Sequence, residues 1–184
     1  VGQDMRLSSA ELADGFIRGA RAQGADVIDF GLISTDMLYY AVAKNEFDGG
    51  AEITASHNPK QYNGMKLVRK HALPLSGDDG ISDIRDMVTA QHIPPAGKMR
   101  GSYRKENIID PYIEHVASFI DLDIVKPFSL ILDAGSGMAG LIAPILFSLL
   151  PCKTTNLCFE IDGSFPHHEA NPLIEANRRD LIDG

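Results

Sequence analysis

The chain begins with a segment whose apolar residues follow the spacing of one helix face. In SSAELADGFIRGARAQGA, residues 8–25, that face consists of Leu12, Phe16, Ile17 and Ala20. Ser8 and Glu11 have the spacing of a capping box, in which each side chain bonds to the backbone at the other position. Gly24 suits the end of a helix because glycine adopts a left-handed backbone without steric cost. The pattern predicts an amphipathic helix over this segment.

Short apolar runs and helical segments then alternate through residues 25–91. The strand-like runs are ADVIDFG (25–31), GGAEITAS (49–56) and NGMKLVR (63–69). DMLYYAVAKN (36–45) predicts a second helix, with Ser34 or Thr35 as its N-cap, and GISDIRDMVTAQ (80–91) predicts a third. Strands alternating with helices predict an α/β fold, in which a mixed or mostly parallel sheet is sandwiched by helices.

Residues 92–107, HIPPAGKMRGSYRKEN, differ in composition from the segments on either side. Two adjacent prolines, two glycines and the lack of apolar periodicity indicate a boundary between one domain at 1–100 and another at 106–184. A long excursion within one domain is the alternative. The second unit contains a helix, then a strand, a glycine turn and an apolar helix, then one more strand. These segments are 108–122, 128–150 and 154–162.

Composition and charge exclude several classes of partner. The chain has 184 residues, 44% of them hydrophobic and 23% charged, as in an ordinary globular protein. A formal net charge of −8 argues against non-specific nucleic-acid binding, which requires a basic surface. No apolar run approaches the roughly 20 residues that span a bilayer, so we expect no membrane partner. The first residues also lack the pattern of a signal peptide.

Cysteines and histidines give no clear metal motif. The chain has only two cysteines, Cys152 and Cys158, which indicates the reducing cytoplasm and not a disulfide framework. Two ligands six residues apart make no metal site by themselves, so we expect buried thiols. His167 and His168 are adjacent and should point apart. No cysteine or carboxylate cluster completes a site in the sequence, and we expect no metal there.

The glycine-rich segment GSGMAG, residues 135–140, matches the dinucleotide fingerprint G-x-G-x-x-G. It follows a strand and opens a helix, and Glu160 or Asp162 lies about 20 residues further on, as that fingerprint requires. This pattern supports an NAD(P)-dependent oxidoreductase. A glycine turn is equally a means of packing a strand closely against the next helix. The motif leaves both interpretations open.

The loop ASHNPKQYNG, residues 55–64, has the composition of a phosphoryl-transfer site. Small residues before Ser56 would let a phosphoryl group approach the backbone, and the Ser56 hydroxyl can form a phosphoester. His57 can donate a hydrogen bond to a phosphate oxygen, and Lys66, on the next strand, can return to the same pocket as a cation or proton-transfer group. The alternative is an ordinary polar turn between two strands. Arg6 is a candidate cation, and Asp4 is placed to form an ion pair that orients it.

Four segments together resemble one enzyme family. GGAEITASHNPKQYNGMKL is similar to the phosphoserine loop of the α-D-phosphohexomutases, the phosphomannomutase and phosphoglucomutase group. VGQDMRLSS resembles the family's early strand, which carries an active-site arginine. LDAGSGMAG and DGSFPHHEANPLIEANRRDL resemble the start and the continuation of its second domain. The resemblance covers essentially the whole chain, and it implies that the glycine turn serves packing. A sugar-phosphate binding module that has lost the chemistry remains a non-catalytic alternative.

The resemblance implies roles for individual residues. Ser56 would carry the phosphoryl group and pass it to a hexose 1-phosphate or 6-phosphate, giving a hexose 1,6-bisphosphate. His57 and Lys66 would move the hydroxyl proton or stabilise the phosphate, and Arg6 would add positive charge. A phosphate oxygen on Ser56 would complete the coordination of Mg²⁺.

The same resemblance implies that part of the family pattern lies outside this sequence. The aspartate-rich metal loop, the sugar-recognition loop and the phosphate loop of the later domains have no counterpart here. The expectation is therefore a piece of a longer protein, holding the first domain and part of the second, with little turnover by itself. The preference for mannose or glucose is not encoded in these residues.

Overall fold

The computed structural model describes residues 1–184 as alternating strands and helices, which confirms the predicted α/β class. The helices are α1 (Ser9–Ala22), α2 (Thr35–Lys44), α3 (Ser82–Thr89), α4 (Ile109–Ala117), α5 (Ala139–Ser148) and α6 (Arg179–Asp183). The strands are β1 (Gly2–Gln3), β2 (Val27–Asp29), β3 (Gly49–Ile53), β4 (Met65–Arg69), β5 (Leu73–Pro74), β6 (Tyr103–Lys105), β7 (Ser129–Asp133) and β8 (Lys153–Leu157). No helix has the length and apolar character to cross a membrane.

The first sheet is mixed, as predicted, and its strands lie in the order β1-β3-β4-β5. β3 runs parallel to β1 and antiparallel to β4, so the loop between β3 and β4 is a connection at one end of the sheet. A bridge between Gln3 and Leu32 brings β1 beside the segment that follows β2. β3 is therefore a central strand, with hydrogen-bonded neighbours on both sides.

Helices cover both faces of β3. A Cβ on Gly50 would lie 2.7 Å from the Val42 side chain, so Gly50 faces α2. Because alternate residues of a strand point to opposite faces, Glu52 also faces α2, whereas Ala51 and Ile53 face the side on which α1 packs. Ala51, Glu52 and Ile53 are each at most 1% exposed. A charged side chain has thus been placed inside the sandwich.

The largest apolar cluster lies between α2 and the sheet. Its members come from α2, from the segment that leads into it, from β4 and from the start of α4. They are Phe30, Ile33, Met37, Leu38, Ala41, Val42, Val68 and Ile108. Burial of such side chains contributes about 1.5–3 kcal/mol each, so this layer holds α2 firmly beside the end of β3.

Ser8 and Ser34 are the N-cap residues of α1 and α2, as predicted, but neither side chain makes a capping hydrogen bond. Ser8 has helical backbone angles and makes no capping bond, and its Oγ instead accepts a hydrogen bond from Asn63 Nδ2 at 2.9 Å. The side chains of Ser34 and Thr35 do not cap α2 either. Thr35 Oγ1 accepts a hydrogen bond from Lys66 Nζ. The hydroxyls of Ser8 and Thr35 thus bond to residues distant in sequence and not to the local backbone.

The segment 92–107 contains a strand that the sequence pattern did not predict. β6 pairs in parallel with β2, and all three β6 residues are exposed, so no apolar alternation marks it. Gly101 docks this segment on the end of α1: its N–H donates to the Arg21 carbonyl at 2.9 Å. A Cβ at Gly101 would lie 1.9 Å from the Ala25 carbonyl oxygen, which leaves no room for a side chain.

The second unit contains a β-α-β element, in which α5 connects the parallel strands β7 and β8. β8 ends at Leu157, earlier than predicted, because Cys158 turns into the left-handed region with φ of 52°. Cys152 and Cys158 are both partly exposed, so the prediction of buried thiols is wrong. Each cysteine lies at one end of β8, where the strand meets solvent.

Candidate active site

Ser56 occupies an exposed and strained position at the end of β3. We call residues 54–64 the serine loop. Ser56 has φ of 54°, a left-handed conformation that costs a residue other than glycine roughly 1–3 kcal/mol. Its N–H donates to Thr54 Oγ1 at 3.0 Å, and its Oγ lies 3.2 Å from His57 Nδ1. The loop thus presents a hydroxyl to solvent, beside an imidazole that can exchange a proton with it.

Arg6 holds the serine loop in place through hydrogen bonds to its backbone carbonyls. Its Nη1 donates to the carbonyls of Pro59 and Tyr62 at 3.0 and 3.1 Å. Its Nη2 donates to the carbonyls of Ser56 and Asn58 at 2.8 and 2.7 Å. The side chain of Arg6 is fully buried. Its charge lies next to Ser56, but its donors hold the backbone of the loop and do not point into open space.

Asp4 orients Arg6, as the sequence predicts. Asp4 Oδ2 accepts from Arg6 Nε at 3.2 Å, and Asp4 Oδ1 accepts from the Arg6 backbone N–H at 2.9 Å. Ser9 Oγ donates to the same Oδ1 at 2.6 Å. Asn63 Nδ2 donates to Ser9 Oγ at 2.9 Å, which closes the network back to the serine loop. A buried charge pair with every polar atom bonded fixes a unique geometry.

Lys66 lies on the α2 face of the sheet. It stands opposite Glu52 in the β3–β4 register, and its Nζ donates to Thr35 Oγ1 at 2.9 Å. No hydrogen bond joins Lys66 to Ser56. Thr35 lines the cleft that Ser56 also faces, whereas Lys66 stands behind it. Among the predicted site residues, Ser56 and His57 lie together in the cleft. Arg6 and Lys66 do not line it and instead donate hydrogen bonds to residues that do, Ser56 and Thr35.

The cleft has a volume of about 450 Å³ and is lined by residues of both units. The first unit contributes Ser56, His57, Thr35 and Glu52 among others. The second unit contributes Asp133, the glycine turn, His168 and Arg178. The two units also touch beside the serine loop, where the Arg6 guanidinium lies 5.2 Å from the centre of the Phe165 ring. A ligand held on Ser56 would therefore face the second unit.

Glu52 is a functional candidate that the sequence interpretation did not include. Burial raises the pKa of this carboxyl from 4.5 to about 7, although a hydrogen bond with Thr35 and the charge of Lys66 oppose the increase. Its Oε2 has no hydrogen-bond partner. The signal in the sequence was a charged residue within a strand that is otherwise apolar, since charged side chains are almost never fully buried unless they are paired.

Asp133, Cys158 and His168 form a second group that the sequence did not predict. Their ligand atoms all lie within 4.8 Å of one another, and Asp133 Oδ2 is 3.0 Å from His168 Nε2. The expectation that no cysteine or carboxylate accompanies the histidine pair is therefore wrong for His168. His167 is exposed and does not belong to this group. Because the three residues come from separate segments, only the fold brings them together.

The glycine turn packs one element closely against another. A Cβ on Gly140 would lie 2.3 Å from the Phe159 carbonyl oxygen, so α5 approaches the chain after β8 as closely as backbone allows. Ser136, within the turn, is 2% exposed. This contact requires glycine whether or not a ligand binds.

Two family models match the chain and identify its class. Phosphoglucomutase/phosphomannomutase, alpha/beta/alpha domain I, matches residues 1–95, and alpha/beta/alpha domain II of the same family matches residues 110–183. The chain therefore belongs to the phosphoglucomutase/phosphomannomutase family, the α-D-phosphohexomutases. The range matched by the second model includes residues 135–140, so the glycine turn is part of this family's domain II.

Individual relatives agree with this assignment. The chain is 41% identical over 178 residues to a protein of Xanthomonas campestris pv. campestris (strain B100) described as "Phosphohexose mutases". It is 38% identical over 186 residues to the phosphomannomutase of Salmonella typhimurium. Among solved structures, a phosphoglucomutase/phosphomannomutase family protein from Burkholderia thailandensis superimposes with a TM-score of 0.87 at 33% identity.

These relatives are longer than the chain. The matches cover 97% of this chain and 40% of the Xanthomonas protein, and 98% of this chain and 41% of the Salmonella protein. The Burkholderia structure matches over 99% of this chain and 40% of its own. The chain thus spans about two fifths of the length of the curated relatives it matches.

Proposed function

We propose that this chain forms the phosphoserine part of an enzyme that interconverts hexose 1-phosphates and hexose 6-phosphates. The observation that carries the proposal is Ser56, which is exposed, held in a left-handed conformation and open to the cleft between the two units. Strained backbone of this kind persists only where surrounding structure imposes it, and it is concentrated at functional sites. The Arg6 network supplies that constraint.

The proposed reaction consists of two phosphoryl transfers. In the first, the bond between Ser56 Oγ and phosphorus breaks, and a free sugar hydroxyl forms the new oxygen–phosphorus bond and gives up its proton. The product is a hexose 1,6-bisphosphate, and Ser56 is left as a hydroxyl. After the sugar reverses its orientation, Ser56 Oγ attacks the other phosphate and returns its own proton to the sugar oxygen that is released. The two steps leave the enzyme as it began.

The neighbours of Ser56 have distinct proposed roles. His57 is the group placed to hold the travelling proton, since its Nδ1 is 3.2 Å from Ser56 Oγ. Arg6 acts as a positioning residue, because its donors are occupied by loop carbonyls while its charge stays near the phosphate. Lys66 acts through Thr35, to which its ammonium donates. This assignment makes Lys66 a positioning residue in place of a direct proton carrier.

Mg²⁺ is the proposed cofactor, but the residues of this chain do not form its site. A phosphate on Ser56 would supply oxygen of the kind that Mg²⁺ prefers. Asp4, which lines the same cleft, already accepts hydrogen bonds on both oxygens. The cluster at Asp133 includes a thiol and an imidazole, which do not suit Mg²⁺. We assign no step to the ion.

The proposed partners are hexose phosphates and hexose 1,6-bisphosphate, and the proposed location is the cytoplasm. Family membership and the names of the relatives support the sugar-phosphate class. Mannose and glucose phosphates are both candidate substrates.

The proposal can be tested in a hybrid enzyme. This chain would replace the matching two fifths of the Salmonella phosphomannomutase, and conversion of mannose 1-phosphate to mannose 6-phosphate would be followed by a coupled assay. The hybrid should be active, and Ser56→Ala should abolish the activity. Ser118→Ala, at an exposed serine that does not line the cleft, should retain it. Full activity in the Ser56→Ala hybrid would contradict the proposal. A folded, inactive hybrid that binds the sugar phosphate would support a non-catalytic binding module instead.

A further inference from the structure

The group formed by Asp133, Cys158 and His168 lies at the ends of β7 and β8, in the second unit. Each residue offers one ligand atom, and these atoms all lie within 4.8 Å of one another. All three side chains are partly buried. Asp133 and His168 also line the cleft that Ser56 lines. The group is separate from the serine loop and has no part in the reaction proposed above.

Hydrogen bonds fix the orientation of two of the three ligands. Asp133 Oδ1 accepts from the Gly135 N–H at 2.8 Å, which leaves Oδ2 directed at His168 Nε2. His168 Nδ1 lies 2.9 Å from the Glu169 carbonyl oxygen. Because a carbonyl can only accept, Nδ1 must carry a proton, and in neutral imidazole Nε2 then bears a lone pair. Metal-binding histidines show this same arrangement, with one nitrogen bonded to a backbone carbonyl and the other free for the ion.

His168 Nε2 and Asp133 Oδ2 face each other and need a proton or a metal ion between them. With neutral imidazole, His168 Nε2 and Asp133 Oδ2 present two lone pairs to each other at 3.0 Å. A proton on Nε2 relieves this by forming a hydrogen bond to Asp133 Oδ2. A metal ion relieves it as well.

The distances suit a small tetrahedral ion. Bonds of about 2.0–2.3 Å to nitrogen, oxygen and sulfur place the ligand atoms of a zinc site roughly 3.3–3.6 Å apart. Atoms that already lie within 4.8 Å of one another need to move by only about 1 Å to reach this spacing. Thiolate and imidazole ligands favour Zn²⁺, whereas Mg²⁺ requires octahedral oxygen coordination.

We propose that Asp133, Cys158 and His168 bind Zn²⁺ through three protein ligands, with the fourth position open to the cleft. Zinc sites with three protein ligands keep the fourth position for water or another ligand, in contrast to the four protein ligands of a closed structural site. The bound ion would place a positive charge in the wall of the cleft that Ser56 also lines. The site does not depend on the proposed phosphoryl transfer, and it would exist in a protein that lacks that activity.

The test is metal titration of the purified, chelator-treated 184-residue chain. Zn²⁺ should bind at one equivalent, measured against a chromophoric chelator, and an excess of Mg²⁺ should not displace it. Co²⁺, used as a spectroscopic probe, should give the visible bands of four-coordinate cobalt together with a thiolate charge-transfer band in the near ultraviolet. The thiolate band identifies a cysteine ligand directly, without any substitution.

Matched variants identify the ligands. Cys158→Ser and His168→Gln should each weaken Zn²⁺ binding by at least about tenfold, because loss of even an outer-shell partner has an effect of that size. Cys152→Ser and His167→Gln change the other cysteine and the adjacent histidine, and they should bind Zn²⁺ as the unchanged chain does. Lack of a thiolate band in the unchanged chain would overturn the proposal, even if the Cys158 variant failed to fold. Loss of binding in the two control variants would overturn it as well.

Discussion

Replacing Glu52 by glutamine tests the buried charge in the central strand. The carboxyl is 1% exposed, and its Oε2 has no hydrogen-bond partner. Burial is the main reason that its pKa is raised from 4.5 to about 7. Glu52→Gln keeps the shape of the side chain and removes the titration. The variant should therefore change how stability depends on pH more than it changes stability at low pH.

The sign and the size follow from linkage between protonation and folding. Because the folded-state pKa lies above the unfolded one, the stabilising effect of the proton is complete below pH 4.5 and is lost as the pH rises towards 7. Each pKa unit corresponds to about 1.4 kcal/mol. An increase from 4.5 to about 7 then corresponds to about 3 kcal/mol of unfolding free energy, lost across this pH range.

The assay is urea unfolding followed by circular dichroism at several pH values between 4.5 and 8. The quantity compared is the difference in unfolding free energy between Glu52→Gln and the unchanged chain. This difference should move in favour of the variant by about 3 kcal/mol from the acid to the alkaline end. Glu11→Gln, at an exposed glutamate of α1, should show no such change. If Glu52→Gln and the unchanged chain have parallel pH profiles, the burial argument is wrong.

Three further predictions concern charges and contacts that stabilise the first unit, and urea unfolding measures the stability of each variant. Lys66→Met removes a charge that lowers the pKa of Glu52, so stability should fall more steeply between pH 5 and 8, and an unchanged profile would refute this coupling. A lysine at position 6 cannot donate to all four loop carbonyls, so Arg6→Lys should lower the free energy of unfolding by about 3 kcal/mol and make the serine loop more sensitive to protease. Equal protease resistance would contradict the positioning role. Gly101→Ala should lower the free energy of unfolding by at least about 2 kcal/mol, because the added methyl group overlaps the neighbouring backbone. Gly19→Ala, where the methyl group meets open space within a helix, should raise it by up to about 1 kcal/mol. A neutral Gly101→Ala would show that this segment does not dock as described.

Periodic patterns predicted the parts of the fold in which burial follows the sequence. The α2 helix and the β3 and β4 strands are flanked by turn residues and carry regular apolar spacing, and they lie where expected. β6 escaped prediction because all of its residues are exposed, so the strand has no apolar signal. The capping box at Ser8 failed because Asn63, distant in sequence, competes for its hydroxyl.

The site was predictable in its residues but not in its connections. The serine motif identifies Ser56 and His57 as neighbours in the chain. The sequence did not predict that Arg6 donates to the loop carbonyls or that Lys66 donates to Thr35. Both contacts join segments that are far apart in sequence. The group around Asp133 was missed for the same reason, since local spacing carries no information about three segments that meet only after folding.

The proposed mechanism requires that Ser56 carries a phosphoryl group. The most direct measurement is mass spectrometry of the peptide that spans the serine loop, after the hybrid enzyme has been incubated with hexose 1,6-bisphosphate and Mg²⁺. The mechanism predicts one acid-stable phosphate, located on Ser56 and removed when hexose 1-phosphate is added. A peptide that remains unphosphorylated while the hybrid turns over, or a phosphate on a different residue, would contradict it.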